Sequence, residues 1–176
     1  MRVARLAWLP TAGGKINCGY RLHTQFEIFR GTVSRVDVTG SKPKGEADER
    51  AVLARTIEAD RCYLMDRGYA KFTLWNDIHA SNSSYVCRVR DNSVYEVIED
   101  IPAELISAAY RLRWLIELFF RMFKQLLGCR HLLSTKQNGV EIQTYIAIIA
   151  CLLILIHTGR AQTKRTYEMI CLSMSG

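Results

Sequence analysis

Twelve consecutive residues, Tyr145–Ile156 (YIAIIACLLILI), contain no charged side chain and no amide. A membrane span wants about 20 apolar residues, and runs of about 10–14 usually form the core helix of a folded domain. Glu141, Gln143, Thr144 and His157 bracket this run closely. It therefore predicts a buried helix over Gly139–His157, and the rest of the chain has to supply what covers it.

That cover begins with alternation. YRLHTQFEIF places Tyr20, Leu22, Thr24, Phe26 and Ile28 on one face and predicts a strand over Gly19–Phe29. Arg30-Gly31 turns the chain, and TVSRVDVT (Thr32–Thr39) reads as the hairpin partner. The loop SKPKG (Ser41–Gly45) leads into a helix around Glu46–Ile57, with the acidic first turn that the helix dipole prefers. A short apolar strand, CYLM (Cys62–Met65), ends in DRGY (Asp66–Tyr69). A helix over Ala70–Ala80, a strand over Ser83–Arg90 and another at VYEVI (Val94–Ile98) follow. From Pro102 the pattern is helical: Pro102–Leu127, Gly139–His157 and a short piece near Thr163–Ser173. This order predicts an α/β layered domain, a mixed sheet with flanking helices. Ligands and chemistry in such sheets collect beyond the carboxyl ends of the strands, and Asp66 stands at one.

The chain has 176 residues, enough for one domain with a real core. Its net charge of +7 favours a polyanionic partner over an acidic protein surface. Six cysteines, at 18, 62, 87, 129, 151 and 171, form no C-x-x-C pair and have no histidine at ligand spacing. Zinc-finger spacings are excluded, and reduced thiols in a cytoplasmic protein are expected. No G-x-S-x-G, Walker A or G-x-G-x-x-G occurs; TAGGKIN lacks the phosphate-loop spacing.

The segment SAAYRLRWLIELFFRMFKQLLG (Ser107–Gly128) holds one acid, Glu117, among Arg113, Arg121 and Lys124. Counted as one continuous helix, Tyr110, Arg113, Glu117, Arg121 and Lys124 fall in a stripe of roughly 80°. An amphipathic helix with i,i+4 ion pairs accounts for such a row equally well. The seam is narrow for a solvent face, however. An aromatic hydroxyl, a lone acid and three cations also suit a phosphodiester with a metal beside it.

The spacing Y-x2-R-x3-E-x6-K, met by Tyr110, Arg113, Glu117 and Lys124, resembles the signature of bacterial DDE transposases of insertion-sequence family four. DIPAELI before it, the QNG of Gln137–Gly139 after it, and MDRGY, similar to the segment of that family's second catalytic aspartate, extend the likeness. The resemblance implies an RNase H-like (retroviral-integrase-like) fold, incomplete at the N-terminus. Asp66 and Glu117 become metal ligands, and Tyr110, Arg113 and Lys124 contacts to DNA phosphates. Arg121 either joins these or pairs with Glu117. In an intact relative two Mg²⁺ (or Mn²⁺) ions, about 3.5–4 Å apart, stabilise the attacking and leaving oxygens. The implied partners are transposon-end and target DNA, with no membrane, and a homodimer in intact relatives.

Two departures from the family bear on activity. Its first carboxylate belongs on the strand before Gly19, yet residues 1–18 contain no Asp or Glu. Asp37 lies on a later strand and reads as a solvated residue. A β-rich insertion expected near 99–102 is also missing, since VYEVIED runs almost directly into IPAELI. The expected organisation is a leader over 1–18, a catalytic core over 19–158 and a truncated extension over 159–176. The expected state is a chain without strand cleavage. Two rivals stand beside it: a non-catalytic DNA-binding remnant, and a membrane or scaffold protein built on the apolar helices. Trp114 reads as core, and His23 and His131 as structural.

Overall fold

The computed structural model describes residues 1–10, 19–40, 45–126, 134 and 136–159. Among them are five strands: β1 Arg2–Pro10, β2 Gly19–Glu27, β3 Thr32–Gly40, β4 Cys62–Met65 and β5 Ser84–Cys87. The helices are α1 Glu49–Ala54, α2 Phe72–Ala80, α3 Ala103–Arg111, α4 Trp114–Leu126 and α5 Gln137–Thr158. The strands form one mixed sheet in the order β3-β2-β1-β4-β5. β4 runs parallel to both neighbours, opposing Arg2 to Tyr63 on β1 and Tyr63 to Tyr85 on β5.

The chain divides into two compact units. One comprises Met1–Leu6, His23–Asp37 and Lys42–Ile116; the other comprises Ala7–Leu22, Val38–Ser41 and Glu117–Gly176. The first has its core around Ala4, Leu53, Tyr63, Met65, Tyr69, Leu74 and Ile78. β4 is apolar without alternation because it is covered on both faces: Tyr63, Leu64 and Met65 are fully buried. The Tyr63 hydroxyl accepts the Glu58 N–H at 2.9 Å, so the buried phenol is not left unsatisfied. α1 starts where Asp48 caps it, accepting the Arg50 N–H at 2.9 Å and the Arg50 guanidinium at 2.9 and 2.7 Å. The Arg50 side chain holds the Asp48 carboxyl far below the usual carboxylate range.

Arg2, at the start of β1, is 5% exposed. Its guanidinium reaches Glu27 at 3.0 Å and Glu58 at 2.7 Å and donates to Gln25 at 3.3 Å. Hydrogen bonding to Arg2 lowers both glutamate pKa values.

In the second unit α5 dominates. Its first turn is tied down by Gln137, whose amide donates to the Val38 carbonyl at 3.2 Å and to Glu141 at 2.9 Å. Gly159 ends the helix at φ +64°, a left-handed position that glycine adopts without cost. A Cβ at Gly139 would collide with the Ser134 side chain, which explains a glycine in the first turn.

The structure alters several expectations. Residues 2–10, within the stretch expected as leader, contain a strand that was not expected, and it pairs with β4. Leu22 to Phe26 are buried in succession, so β2 is covered on both faces and its alternation does not mark a solvent side. Val94–Ile98 is not a strand. Pro102–Leu127 is two helices. α5 is only half a core helix: Val140, Thr144, Ala147, Ile148 and Cys151 are buried, while Ile142, Ile146 and Ile149 are more than half exposed. By length and composition alone it is apolar enough to cross a membrane. The piece near Thr163–Ser173, together with His131, lies outside the described residues.

Candidate functional site

Asp66 follows the last residue of β4 and caps the 3₁₀ turn Arg67–Tyr69. Its carboxylate accepts the Arg67 N–H at 2.8 Å, and its carbonyl accepts the Tyr69 N–H at 2.9 Å. A Cβ at Gly68 would come within 2.9 Å of a Glu49 carboxylate oxygen, the far end of a side chain that can move aside. The other Asp66 oxygen faces Arg113, with Nη1 3.7 Å away. That is an ion pair longer than a hydrogen bond. The aspartate is 39% exposed and the arginine 19%.

Arg113 owes its direction to the break between α3 and α4. The N–H groups of Leu112, Arg113 and Leu115 donate to the carbonyls of Ala109, Tyr110 and Leu112 at 3.1–3.2 Å. These i to i−3 bonds wind the chain at about 120° per residue, where an α-helix turns about 100°. Residues three apart then eclipse, and the Arg113 guanidinium sits over the Tyr110 ring, 5.1 Å from its centre. The same break invalidates the angles counted across a continuous helix. Tyr110 and Arg113 keep a common side for a different reason from the one expected.

Asp66, Tyr110 and Arg113 are thus brought together within one unit. Glu117 opens the other, half-buried in the first turn of α4, with Arg121 exposed one turn further on. The backbone of Lys124 is in α4, and its side chain lies outside the described residues. Trp114, expected in the core, is 54% exposed. Asp37 is half-buried and paired with Arg35 at 3.0 Å. His23 is buried, as a structural histidine should be.

The residues beside Asp66 are themselves paired. Arg67 reaches Asp91 at 2.8 Å, and the Cys87 thiol donates to the Asp66 carbonyl at 3.6 Å. Burial pushes the Cys87 pKa up to about 11, so this thiol is no nucleophile at neutral pH. Among the described residues no three His, Cys, Asp or Glu side chains gather closely enough to hold a metal ion. The anchoring of β1 by Arg2, Glu27 and Glu58 was not legible, because an arginine two residues from a basic start carries no sign of burial. That Tyr110 and Arg113 share a side was legible; their contact was not.

Residues 94–153 match the family described as Transposase DDE domain, a range that includes Tyr110, Arg113, Glu117 and Lys124. A Geobacillus stearothermophilus protein, "Probable transposase for insertion sequence element IS5377", is 38% identical over 215 aligned positions, covering 94% of this chain and 56% of that protein. The Synechocystis "Putative transposase for insertion sequence element IS4SA" is 30% identical over 82 residues, covering 41% and 24% respectively. This chain thus spans little more than half of the first relative and about a quarter of the second. Among solved structures, a chain of the simian T-cell lymphotropic virus intasome in complex with a PP2A regulatory subunit superposes with TM-score 0.48 at 15% identity, covering 82% of this chain and 46% of that one.

Proposed function

We infer the function of this chain from its kinship: it is a relative of the DDE transposases of insertion sequences, of the family-four type. Our reading is that it is the DNA-holding core of such a transposase and that, alone, it does not cut DNA. The observation that carries this is the Tyr110–Arg113 pair, inside the matched range and held against Asp66 at the carboxyl end of β4. An arginine stacked on a tyrosine presents a planar donor fork to a phosphate while the ring fixes its orientation. By the family resemblance Arg121 and Lys124, both in the sequence of α4, are further candidate contacts to DNA. We read the mixed sheet as RNase H-like, and the chain as a cytoplasmic protein acting on transposon-end and target DNA.

A DDE centre takes divalent metal ions through three carboxylates. Asp66 and Glu117 are the two candidate ligands here, and the described residues supply no third at the site. That donor set does not fit a two-ion site, and no cleavage step is assigned to this chain. Hard cations need several oxygens, so Mg²⁺ or Mn²⁺ would bind weakly.

We also assign a missing insertion to the stretch near 99–102. The alignment with the Geobacillus protein has 215 positions and takes in 94% of the 176 residues here, about 165, so about 50 (215 less 165) face no residue of this chain. The stretch from Val94 to Pro102 is neither helix nor strand and leaves Val94 93% and Ile98 97% exposed. A chain lacking a segment there would present such a bare junction.

The test is duplex binding and nicking by the purified chain. Expected is salt-sensitive, sequence-indifferent binding, with Kd on the order of 10⁻⁶–10⁻⁴ M at physiological salt. Nicking in Mg²⁺ or Mn²⁺ that vanishes in Glu117→Ala would overturn the claim of inactivity. Absence of any duplex binding at low salt would overturn the whole reading.

A further inference from the structure

Outside its buried side, α5 carries a second apolar stripe. Ile142, Ile146, Ile149, Leu153 and Ile156 are 55–78% exposed and follow one another at steps of four, three, four and three. A helix packed on one neighbour shows a single apolar stripe. A second one at alternating three and four is the pattern by which two helices interlock knobs into holes. Every seam residue is aliphatic and four are isoleucine. The flanking Gln143, Tyr145, Ala150, Leu152 and His157 carry no carboxylate and no permanent cation, so an identical surface meets no like charge.

We propose that this seam is a self-association surface, and that two copies of the chain pair through α5 in antiparallel fashion about a two-fold axis near Ile149. The seam reads almost the same in both directions from Ile149, with residues at −7, −3, +4 and +7. Reversal therefore brings the same positions together, as an isologous interface requires. Antiparallel pairing also sets the helix dipoles head to tail. At about 150–200 Å² per fully exposed large side chain, the five seam residues and Tyr145 amount to on the order of 600 Å² per copy and ~1,200 Å² per pair, the lower bound for a specific interface. A bilayer is the poorer occupant. From Ile142 to Ile156 the seam is roughly 21 Å long, short of the ~30 Å hydrocarbon core. Glu141 and His157 close its ends, and the opposite face of α5 is already buried. The inference does not depend on DNA binding.

Sedimentation equilibrium of the full chain, with circular dichroism as the control for folding, tests it. The wild-type chain is expected to dimerise in the micromolar range. Ile149→Lys should weaken dimerisation at least tenfold without loss of helicity, and Ile149→Leu should retain it. Should Ile149→Lys lose helicity, the milder Leu153→Gln is judged by the same criterion. The proposal is overturned by a wild-type chain monomeric at ~100 μM, by a dimer that survives the seam substitutions, or by flotation of the chain with phosphatidylcholine–phosphatidylglycerol vesicles in place of dimerisation.

Discussion

The guanidinium of Arg113 lies 3.7 Å from the carboxylate of Asp66. Under the proposed role of Arg113 at a DNA phosphate the two would have opposite effects. The arginine would attract the backbone, and the aspartate would repel it and partly neutralise the arginine. Arg113→Ala should therefore weaken duplex binding about tenfold at low salt and reduce the slope of log K against log salt by about 1. Asp66→Asn should tighten binding several-fold. Fluorescence anisotropy across a salt series reads both, and equal effects of the two substitutions would refute the assignment of Arg113 to phosphate.

Arg2 is the keystone of a second charged group. With Arg2 almost fully buried, its removal leaves Glu27, 17% exposed, beside an unfilled site. Breaking a buried pair costs about 3–5 kcal/mol, and the half-exposed Glu58 lowers the expectation to about 2–3 kcal/mol for Arg2→Met. Both glutamates have folded pKa values depressed by Arg2. Their contribution is present above the unfolded carboxylate value near 4.5 and is lost as pH falls through the depressed folded values. Urea denaturation should show wild-type stability falling between about pH 5 and pH 3. The Arg2→Met profile should be flatter over that window. A substitution that changes neither the stability at pH 7 nor the slope would show the group to be ornamental.

Gly139 and Ser134 make a steric prediction. Gly139→Ala puts a methyl group into the Ser134 side chain, and overpacking of this kind costs about 1–3 kcal/mol. The double variant Gly139→Ala, Ser134→Gly should recover most of that loss. Thermal melts of the three variants decide it, and an unchanged melt for Gly139→Ala would mean that Ser134 yields freely.

What the sequence revealed followed from patterns that local physics enforces. CYLM is a parallel strand buried from Tyr63 to Met65 because a short apolar run bounded by polar residues has little else to do, and its limits were legible to the residue. Asp66 was legible as the residue at a strand end. The exposed half of α5 was not, because an all-round apolar run says nothing about which side finds a neighbour. The α3–α4 break was hidden too. A tightening to i to i−3 bonds at Leu112 and Arg113 leaves no mark in a run of good helix formers, yet it ends the even count of about 100° per residue. Val94–Ile98 reads as a strand by composition and is not one, since propensity acts only where a neighbouring strand is present to pair.

That unpaired stretch supports the last prediction. From Arg88 to Ser107 every described residue except Ser93 is exposed, and the backbone bonds inside Arg88–Pro102 are local. Exposed backbone that gives up no packing when cut or lengthened is where nicking and insertion are tolerated. Among the described residues, trypsin at low ratio should cleave after Arg88 or Arg90 ahead of Arg50 and Arg55 in and beside α1. A flexible Gly/Ser linker of about 20 residues placed between Glu99 and Asp100 should cost little beyond loop closure, about 1 kcal/mol or less. The same linker between Asp66 and Arg67 should abolish folding, because it separates β4 from the turn that buries Tyr69. If both insertions were equally damaging, the proposal that a segment is missing near 99–102 would fail.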